Sequence, residues 1–501
     1  MADWRRIRHA AQAEAHRFSA ALENPRAAQL SLLQRILAAN AGCEFGVAHG
    51  FASMETLEEF RARVPIAGYD SVAPAIARMA QGDAGVLTSA PVIAFEETGG
   101  SSAGAKLVPI TAPALAGFSA AILPWLSSTI DRLPQIANGP FYATISPATR
   151  SSRTTSGGIP IGLGSDAAYL GPDLARDFAA LLAVPPQLGD ISDVTEWQVA
   201  TLAALVEASE LSFISLWSPT FLSSLLAALP ICADQIVARL SPQAYARFAA
   251  ATRGHAPDAA VLWPCLASIS CWNDGPSRHF AGQLAERFPQ ARIDAKGILA
   301  TEGAITLGWG PHGRKVPALN SCVIEFVDAQ GVPLLCDELT EGETYRVVMT
   351  TAGGLYRYDL GDIVECKAMI GNVPDLAFLG RAGIVSDMVG EKLEQAFVAQ
   401  VLDALGYPAA LEARADGPGY ILLVDRTAPP GNAAPAVDAA LQANPQYAYA
   451  RRIGQLAPLR TQQVADLPAH LNARGMAAGR RMGDVKPLGL VRADPVPERA
   501  A

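Results

Sequence analysis

The residues able to do chemistry in this chain fall in a few short stretches. The first reads Thr98-Gly99-Gly100-Ser101-Ser102-Ala103-Gly104-Ala105-Lys106, fed by the apolar run Val92 to Phe95 and left by the apolar run Leu107 to Ile110. Glycines let backbone N–H groups approach an oxyanion with no Cβ in the way, hydroxyls add donors, and Lys106 adds a fixed positive charge. That is a phosphate loop in outline. It is not a Walker loop, because Leu107 follows the lysine, and a plain Gly/Ser turn between strands is the competing reading. A second stretch, Leu266 to Ser277, is an apolar strand ending in the polar turn Trp272-Asn273-Asp274-Gly275-Pro276. Ligands of open α/β sheets sit at such strand ends. In Ala300-Thr301-Glu302-Gly303 a hydroxyl beside a carboxylate can hold Mg²⁺ and a phosphate oxygen together, with a helix-capping pair as the alternative. Gly354-Leu355-Tyr356-Arg357-Tyr358-Asp359-Leu360-Gly361-Asp362 places Asp362 where a carboxylate can accept both hydrogen bonds of a ribose diol. Lys486 stands between Val485 and Pro487 near the end of the chain. Taken singly, each stretch is compatible with a structural role.

The elements that must position these residues can be read from the rest of the sequence. At 501 residues, half of them hydrophobic, the chain exceeds one ordinary core, so two or more domains sharing a site are expected. A formal net charge of -9 opposes a nucleic-acid or anionic-membrane partner. The start of the chain alternates charged residues with Ala and Leu and shows no secretory signal, so a cytoplasmic enzyme acting on small molecules is expected. Seven cysteines, Cys43, Cys232, Cys265, Cys271, Cys322, Cys336 and Cys366, never adopt C-x-x-C spacing, which suits reduced thiols and opposes a zinc site. Leu211 to Ala233 carries no charge, but Pro219 and Pro230 break it, and it reads as a strand, a turn and a helix rather than a membrane span. Helical spacing covers residues 1 to 40 and Ser53 to Val64. From Val92 to Asp274 strand-like runs alternate with helices at Thr111 to Leu126, Phe178 to Val184, Glu196 to Ala208 and Phe221 to Leu229, which argues α/β layers with a largely parallel sheet. Strands at Val323 to Val327, Thr344 to Thr350 and Gly354 to Tyr358 predict a β-rich subdomain. A boundary near Gly380-Arg381-Ala382-Gly383 divides residues 1–379 from a smaller α+β unit at 380–501. That unit has helices at Glu391 to Leu405, Val437 to Ala443 and Leu467 to Arg474 and a strand at Tyr420 to Val424.

In order and spacing these stretches resemble the adenylate-forming superfamily of acyl-CoA synthetases, peptide-synthetase adenylation domains and luciferases. Within it the chain is similar to the GH-three family of acyl-acid amido synthetases, including its bacterial members. The resemblance runs from Cys43-Glu44-Phe45-Gly46 and Val64-Pro65-Ile66 with Tyr69, through the loop at Thr98 to Lys106, Ser270-Cys271-Trp272 and Ala300-Thr301-Glu302, to Tyr356-Arg357-Tyr358 with Gly361-Asp362 and finally Lys486-Pro487. It implies a large adenylate-forming domain and a smaller mobile C-terminal domain. It also implies ATP phosphates on Thr98, Gly100, Ser101, Ser102, Gly104 and Lys106, Mg²⁺ on Glu302, the α-phosphate near Thr301 and ribose on Asp362. Trp272, Asp274 and Tyr356 would join the nucleotide site, Arg381 would open an interdomain hinge, and Lys486 would reach the site in one of two domain orientations. Where relatives carry an aromatic residue to stack on adenine, this chain has Ile298, and Trp272 is the substitute; Gly483-Asp484-Val485 stands where Gln-Tyr is common.

The implied reaction turns a carboxylic acid and ATP into an acyl-AMP and pyrophosphate, after which an amine or amino acid displaces AMP. Charge neutralisation around the phosphate oxygens carries the first step. Phe118, Leu123, Trp125, Phe213 and Trp217 are candidates for an acyl pocket, and Arg150 and Arg153 for orienting a carboxylate, with ordinary core and solvated loop as the competing readings. The rivals are a ligase that passes the acyl group to CoA or a carrier protein, and a noncatalytic relative. A monomer is expected.

Overall fold

The computed structural model describes residues 3–98, 106–144, 153–163, 166–254, 257–382, 385–414, 416–429, 431–477 and 489–491. The N-terminal helical spacing resolves into two helices, Arg5–Glu23 and Pro25–Asn40. Asn24 separates them, its side chain accepting from the Ala27 N–H while Pro25 takes the first helical turn, a combination that starts a new helix. After a short helix at Glu44–His49, the helix Leu57–Arg63 is shorter than its spacing suggested because a capping box between Thr56 and Glu59 fixes its start. Val64 then leaves in extended conformation, as the following proline requires.

The Val92–Glu97 strand pairs antiparallel with Leu107–Thr111. That pairing is antiparallel because the loop between the two strands is too short for a parallel crossover; on its other side Val92–Glu97 meets Pro160–Ile161 in parallel, through Phe95 and Ile161. Leu107–Thr111 lies at the edge of a four-stranded sheet completed by Pro160–Ile161 and Arg153–Thr154. The parallel sheet starts later, with Phe141–Ala143, Phe213–Ser215, Ser268–Cys271 and Arg292–Ala295 in that order. The uncharged segment at 211–233 becomes the strand Phe213–Ser215 and the helix Pro219–Ile231, packed in a core with Trp197, Trp263 and Phe288. Among the described residues one helix, Ala112–Arg132, is long and apolar enough to cross a bilayer by length and composition, and 61% of its most apolar window is buried. The expected helix at Phe178 to Val184 lies earlier, at Pro172–Ala180.

A five-stranded antiparallel sheet follows, ordered Pro333–Leu334, Val323–Val327, Thr344–Thr350, Tyr358–Ile370 and Val373–Arg381. Gly354 to Tyr358 is not the strand its aromatics suggested. Gly354 and Arg357 both have positive φ, +102° and +43°, so the chain turns there and the strand opens only at Tyr358. The expected boundary falls on the last two residues of the Val373–Arg381 strand. Beyond it, the helix expected from Glu391 is Gln395–Asp403, because Val385–Ser386 and Leu393–Glu394 form a short ladder first. A third four-stranded sheet is ordered Arg460–Val464, Tyr420–Asp425, Ala409–Ala413 and Leu490–Val491, with Leu393, Leu402, Leu441 and Tyr447 in its core. Helices Ala434–Leu441 and Leu467–Ala477 overlap the expected ones, whereas Pro445–Arg452 was not anticipated. Leu467 and Leu471 meet Phe280 of the Arg278–Arg287 helix, and Asn472, buried, donates to the Thr220 carbonyl (3.3 Å) and the Ser224 hydroxyl (2.7 Å).

Candidate nucleotide site

The hairpin that carries the glycine loop has its stems fixed. Glu97 stands opposite Leu107, and the Thr98 N–H donates to the Lys106 carbonyl at 2.9 Å. Gly100, Ser101, Ser102 and Gly104 lie outside the described residues, as do Arg150 and Lys486. The Lys106 ammonium stands 5.1 Å from the centroid of the Tyr69 ring, a cation–π geometry.

Thr301 and Glu302 form the two-residue turn of a hairpin between Leu299–Ala300 and Gly303–Ala304, so the capping alternative does not apply: no helix starts there. A two-residue turn projects its side chains away from the ladder, and Glu302 points toward two phenols. The Tyr358 hydroxyl reaches Glu302 Oε1 at 3.4 Å. Burial pushes the Tyr358 phenol well above the ordinary tyrosine range, and the Glu302 carboxylate adds to the rise while Arg381 opposes it. Tyr69 shifts the same way, through burial first and Glu302 in addition. Both phenols therefore stay protonated and can act as donors.

Asp362 stands opposite Arg381 in the register of the two longest strands, with Arg381 Nε 3.1 Å from Asp362 Oδ1. Arg381 also donates to the Leu360 carbonyl at 2.7 Å. Gly361, at φ +77°, receives the Ala382 N–H at 2.6 Å and so ties the start of one strand to the end of the other. The turn after Cys271 packs on the same strand: Asp274 accepts from Lys315 Nζ and, at 3.3 Å, from the Phe378 N–H. Asp274 thus has a use in holding that turn against the strand ending in Arg381. Trp272 is half-buried, 6.2 Å from Trp217 between ring centroids.

Lys106 over Tyr69, Glu302 against Tyr358 and Asp362 against Arg381 are three separate contacts, and the bridge of Ala67 to Tyr358 ties the segment before Tyr69 to the strand that carries Tyr358 and Asp362. Tyr356 is placed elsewhere. Its ring stacks on Phe45 (4.8 Å) inside a hydrophobic cluster and its hydroxyl donates to the Leu87 carbonyl at 2.7 Å. Arg357 is also internal: 4% exposed, it pairs with Glu325 at 2.9 Å and donates to the Val64 carbonyl at 2.9 Å. Sequence reasoning quoted Tyr69 and Tyr358 without giving either a place in the site; no local signal separates Tyr358 from Tyr356.

Among the acyl-pocket candidates, Phe118, Leu123 and Phe213 are core residues. Trp217 and Trp125 flank Lys296, whose ammonium lies 4.4 and 5.5 Å from their rings and donates to Ser215 Oγ at 2.6 Å. Arg153 is exposed and pairs with Glu97. Cys271 is fully enclosed, and burial pushes its thiol up to about 12, which removes it as a nucleophile at neutral pH. Among the described residues no group of three or more His, Cys, Asp or Glu is placed to hold a metal. The donor chemistry at Glu302 suits Mg²⁺ all the same, because that ion is commonly held by one or two carboxylates together with substrate phosphates.

The architecture defines the class before any closer assignment. The chain has the mixed α/β fold of a solved acyl acid amido synthetase, AtGH3.15 in complex with 2,4-DB, with a TM-score of 0.84 at 16% identity over 97% of this chain and 94% of that one. It is shared more loosely with the adenylate-forming 2-hydroxyisobutyryl-CoA ligase, TM-score 0.51 at 12% identity over 93% and 89% of the two chains. At these identities the likeness is one of fold. The model of the GH3 family N-terminal domain matches residues 14–247 and that of the GH3 family central domain residues 316–381, together more than half of the sequence. The chain belongs to the GH3 family. Its relatives include the probable indole-3-acetic acid-amido synthetase GH3.12 of Oryza sativa subsp. japonica, 25% identical over 71% of this chain and 69% of that protein. Another is the putative indole-3-acetic acid-amido synthetase GH3.10 of the same plant, 25% identical over 74% and 82%.

Proposed function

We propose that this protein is an ATP-dependent acyl-acid amido synthetase. A carboxylate oxygen of the acid attacks the α-phosphorus of ATP and pyrophosphate leaves, giving the acyl-AMP. The nitrogen of a neutral amine or amino acid then attacks the carbonyl carbon, AMP leaves, and the amine proton passes to solvent. The observation that carries this reading is geometric: Lys106 lies over the Tyr69 ring, the segment leading to Tyr69 is bridged at Ala67 to Tyr358, and on that strand Tyr358 meets Glu302 and Asp362 meets Arg381, in a chain whose relatives are named as amido synthetases.

In this reading Lys106 and the loop residues Thr98, Gly100, Ser101, Ser102 and Gly104 neutralise the phosphates, and Thr301 faces the α-phosphate. Glu302 holds Mg²⁺, which supplies charge neutralisation on the phosphoryl oxygens. Asp362 accepts from the ribose, with Arg381 sharing its carboxylate, while Trp272 borders adenine. Residues 1–379 form the adenylating part and 380–501 a mobile part that brings Lys486 to the site. The enzyme is taken to be cytoplasmic and monomeric, and the cysteines, all seven of them free, suit a reducing compartment.

The test is pyrophosphate release screened over carboxylic acids with Mg·ATP, repeated with amino acids and simple amines. Amine-dependent AMP release without CoA supports the proposal. Strict dependence on CoA replaces it with the thiol-acceptor reading, and no release with any acid leaves a noncatalytic relative.

A further inference from the structure

Leu107–Thr111 is an edge strand, so alternate backbone groups face away from the sheet with no strand to receive them. At Leu107 both outward groups are met by one side chain. The Leu107 N–H donates to the Tyr69 hydroxyl at 2.9 Å, and that hydroxyl donates to the Leu107 carbonyl at 3.2 Å. A phenol thus does locally what a neighbouring strand would do, and it does so at the residue after Lys106, whose ammonium lies over the same ring at 5.1 Å.

Tyr69 is itself held from the opposite side. It opens the helix Tyr69–Gln81, and two residues earlier Ala67 makes a parallel bridge to Tyr358, donating to the Arg357 carbonyl (3.1 Å) and accepting from the Asp359 N–H (2.9 Å). Val64, upstream, receives Arg357. The short run from Val64 to Tyr69 is therefore fastened to the strand that carries Tyr358 and Asp362 at one end and to the strand that leaves the glycine loop at the other.

We infer that Tyr69 is a positioning residue for Lys106: its hydroxyl pins the backbone just after the lysine and its ring seats the ammonium, so that the phosphate-binding charge is set at a fixed place relative to Glu302 and Asp362. The inference rests on the proposed nucleotide role of Lys106. It assigns to Tyr69 an effect on ATP handling and none on the choice of acid or amine.

The test compares wild type, Tyr69→Phe, Tyr69→Leu, Lys106→Ala and the Tyr69→Phe/Lys106→Ala double variant in the full chain. Readouts are ATP binding by equilibrium dialysis, pyrophosphate exchange with a saturating acid, and thermal unfolding. Tyr69→Phe keeps the ring and loses both hydrogen bonds; it is expected to weaken ATP handling about tenfold, with KM for the acid unchanged. Tyr69→Leu also removes the ring and is expected to lose a further few-fold, roughly threefold. In the Lys106→Ala background Tyr69→Phe is expected to cost about twofold or less, because the pair acts as a unit. Unaltered ATP handling in a folded Tyr69→Phe, or losses that simply multiply in the double variant, overturns the inference. If Tyr69→Phe does not fold, Tyr69→His, which keeps one hydrogen-bonding ring nitrogen, supplies the same comparison. Dialysis separates the two claims: absent amide formation with ATP binding still weakened by Tyr69→Phe overturns the proposed reaction and leaves the inference standing. Normal amide formation with Tyr69→Phe equal to wild type does the reverse.

Discussion

Asp362 and Arg381 face each other across the two longest strands, carboxylate buried and guanidinium half in solvent, Nε to Oδ1 3.1 Å. The cation reaches the buried anion from the open side. Asp362→Ala is expected to weaken ATP binding about ten- to a hundredfold, the loss of hydrogen bonds to a charged acceptor, measured by equilibrium dialysis. Unchanged affinity would remove the ribose assignment. Arg381→Ala is expected to lose about 1–3 kcal/mol in urea unfolding: the Arg381 side chain is 40% exposed, but the Asp362 side chain that loses this partner is only 4% exposed and water reaches it poorly.

Glu302→Gln keeps the hairpin turn and the contact to Tyr358 while removing the charge. Pyrophosphate exchange at saturating Mg²⁺ is expected to fall by about a hundredfold or more, with the melting temperature nearly unmoved. Exchange at the wild-type rate would show that the metal is held elsewhere.

Glu325, 1% exposed, is shared by Arg61 (2.7 Å) and Arg357 (2.9 Å). Arg357→Ala leaves Arg61 on the carboxylate but empties a buried site and takes a donor from the Val64 carbonyl, so it is expected to lose about 2–4 kcal/mol in urea unfolding. Arg61→Ala, from a side chain 20% exposed, should lose less. Equal losses would contradict the burial argument.

The phenols of Tyr356, Tyr358, Tyr420 and Tyr447 are all raised above their ordinary value near 10, each by burial first. A raised folded-state value means that the folded chain keeps these protons longer than the unfolded one. The stability they contribute is therefore complete below about pH 10 and is lost as the pH rises through the shifted values. In an alkaline titration these four of the 11 tyrosines should ionise last and together with unfolding. Their ionisation ahead of the remaining tyrosines would refute this.

Two glycines should answer differently to alanine. At Gly354, φ is +102° and a Cβ would come within 2.9–3.2 Å of Leu87, two of the three atoms being backbone. Gly354→Ala is expected to lose about 1–3 kcal/mol. At Gly303 the obstacle at 2.5 Å is the terminal methyl of Met349, which can rotate away, so Gly303→Ala should lose less than about 1 kcal/mol. Thermal unfolding of the two variants decides the order.

The strands at Val323–Val327 and Thr344–Thr350 were legible because each is bounded by turn residues and filled with β-branched or aromatic side chains. The site motifs were legible as residue types. What the sequence did not reveal was facing. In a continuous strand Tyr356 and Tyr358 would share one side; Arg357, left-handed at φ +43°, rotates the chain between them, sending Tyr356 into the core and Tyr358 toward Glu302. Nor could local pattern show that Tyr69 meets Leu107, or that Arg61 meets Glu325 across 264 positions. Those contacts exist only after the sheets have assembled.

The seat of Asn472 on Thr220 and Ser224 also bears on how the polypeptide is made. The helix Pro219–Ile231 emerges from the ribosome some 250 positions before its partner, as the 252-residue separation of Asn472 and Thr220 dictates, and domains generally fold in the order of synthesis. Hydroxyls and a carbonyl on that surface can be hydrated in the interval, so of the ground the Leu467–Ala477 helix covers it is Phe280, met by Leu467 and Leu471, that stands bare of its apolar cover until synthesis is nearly done.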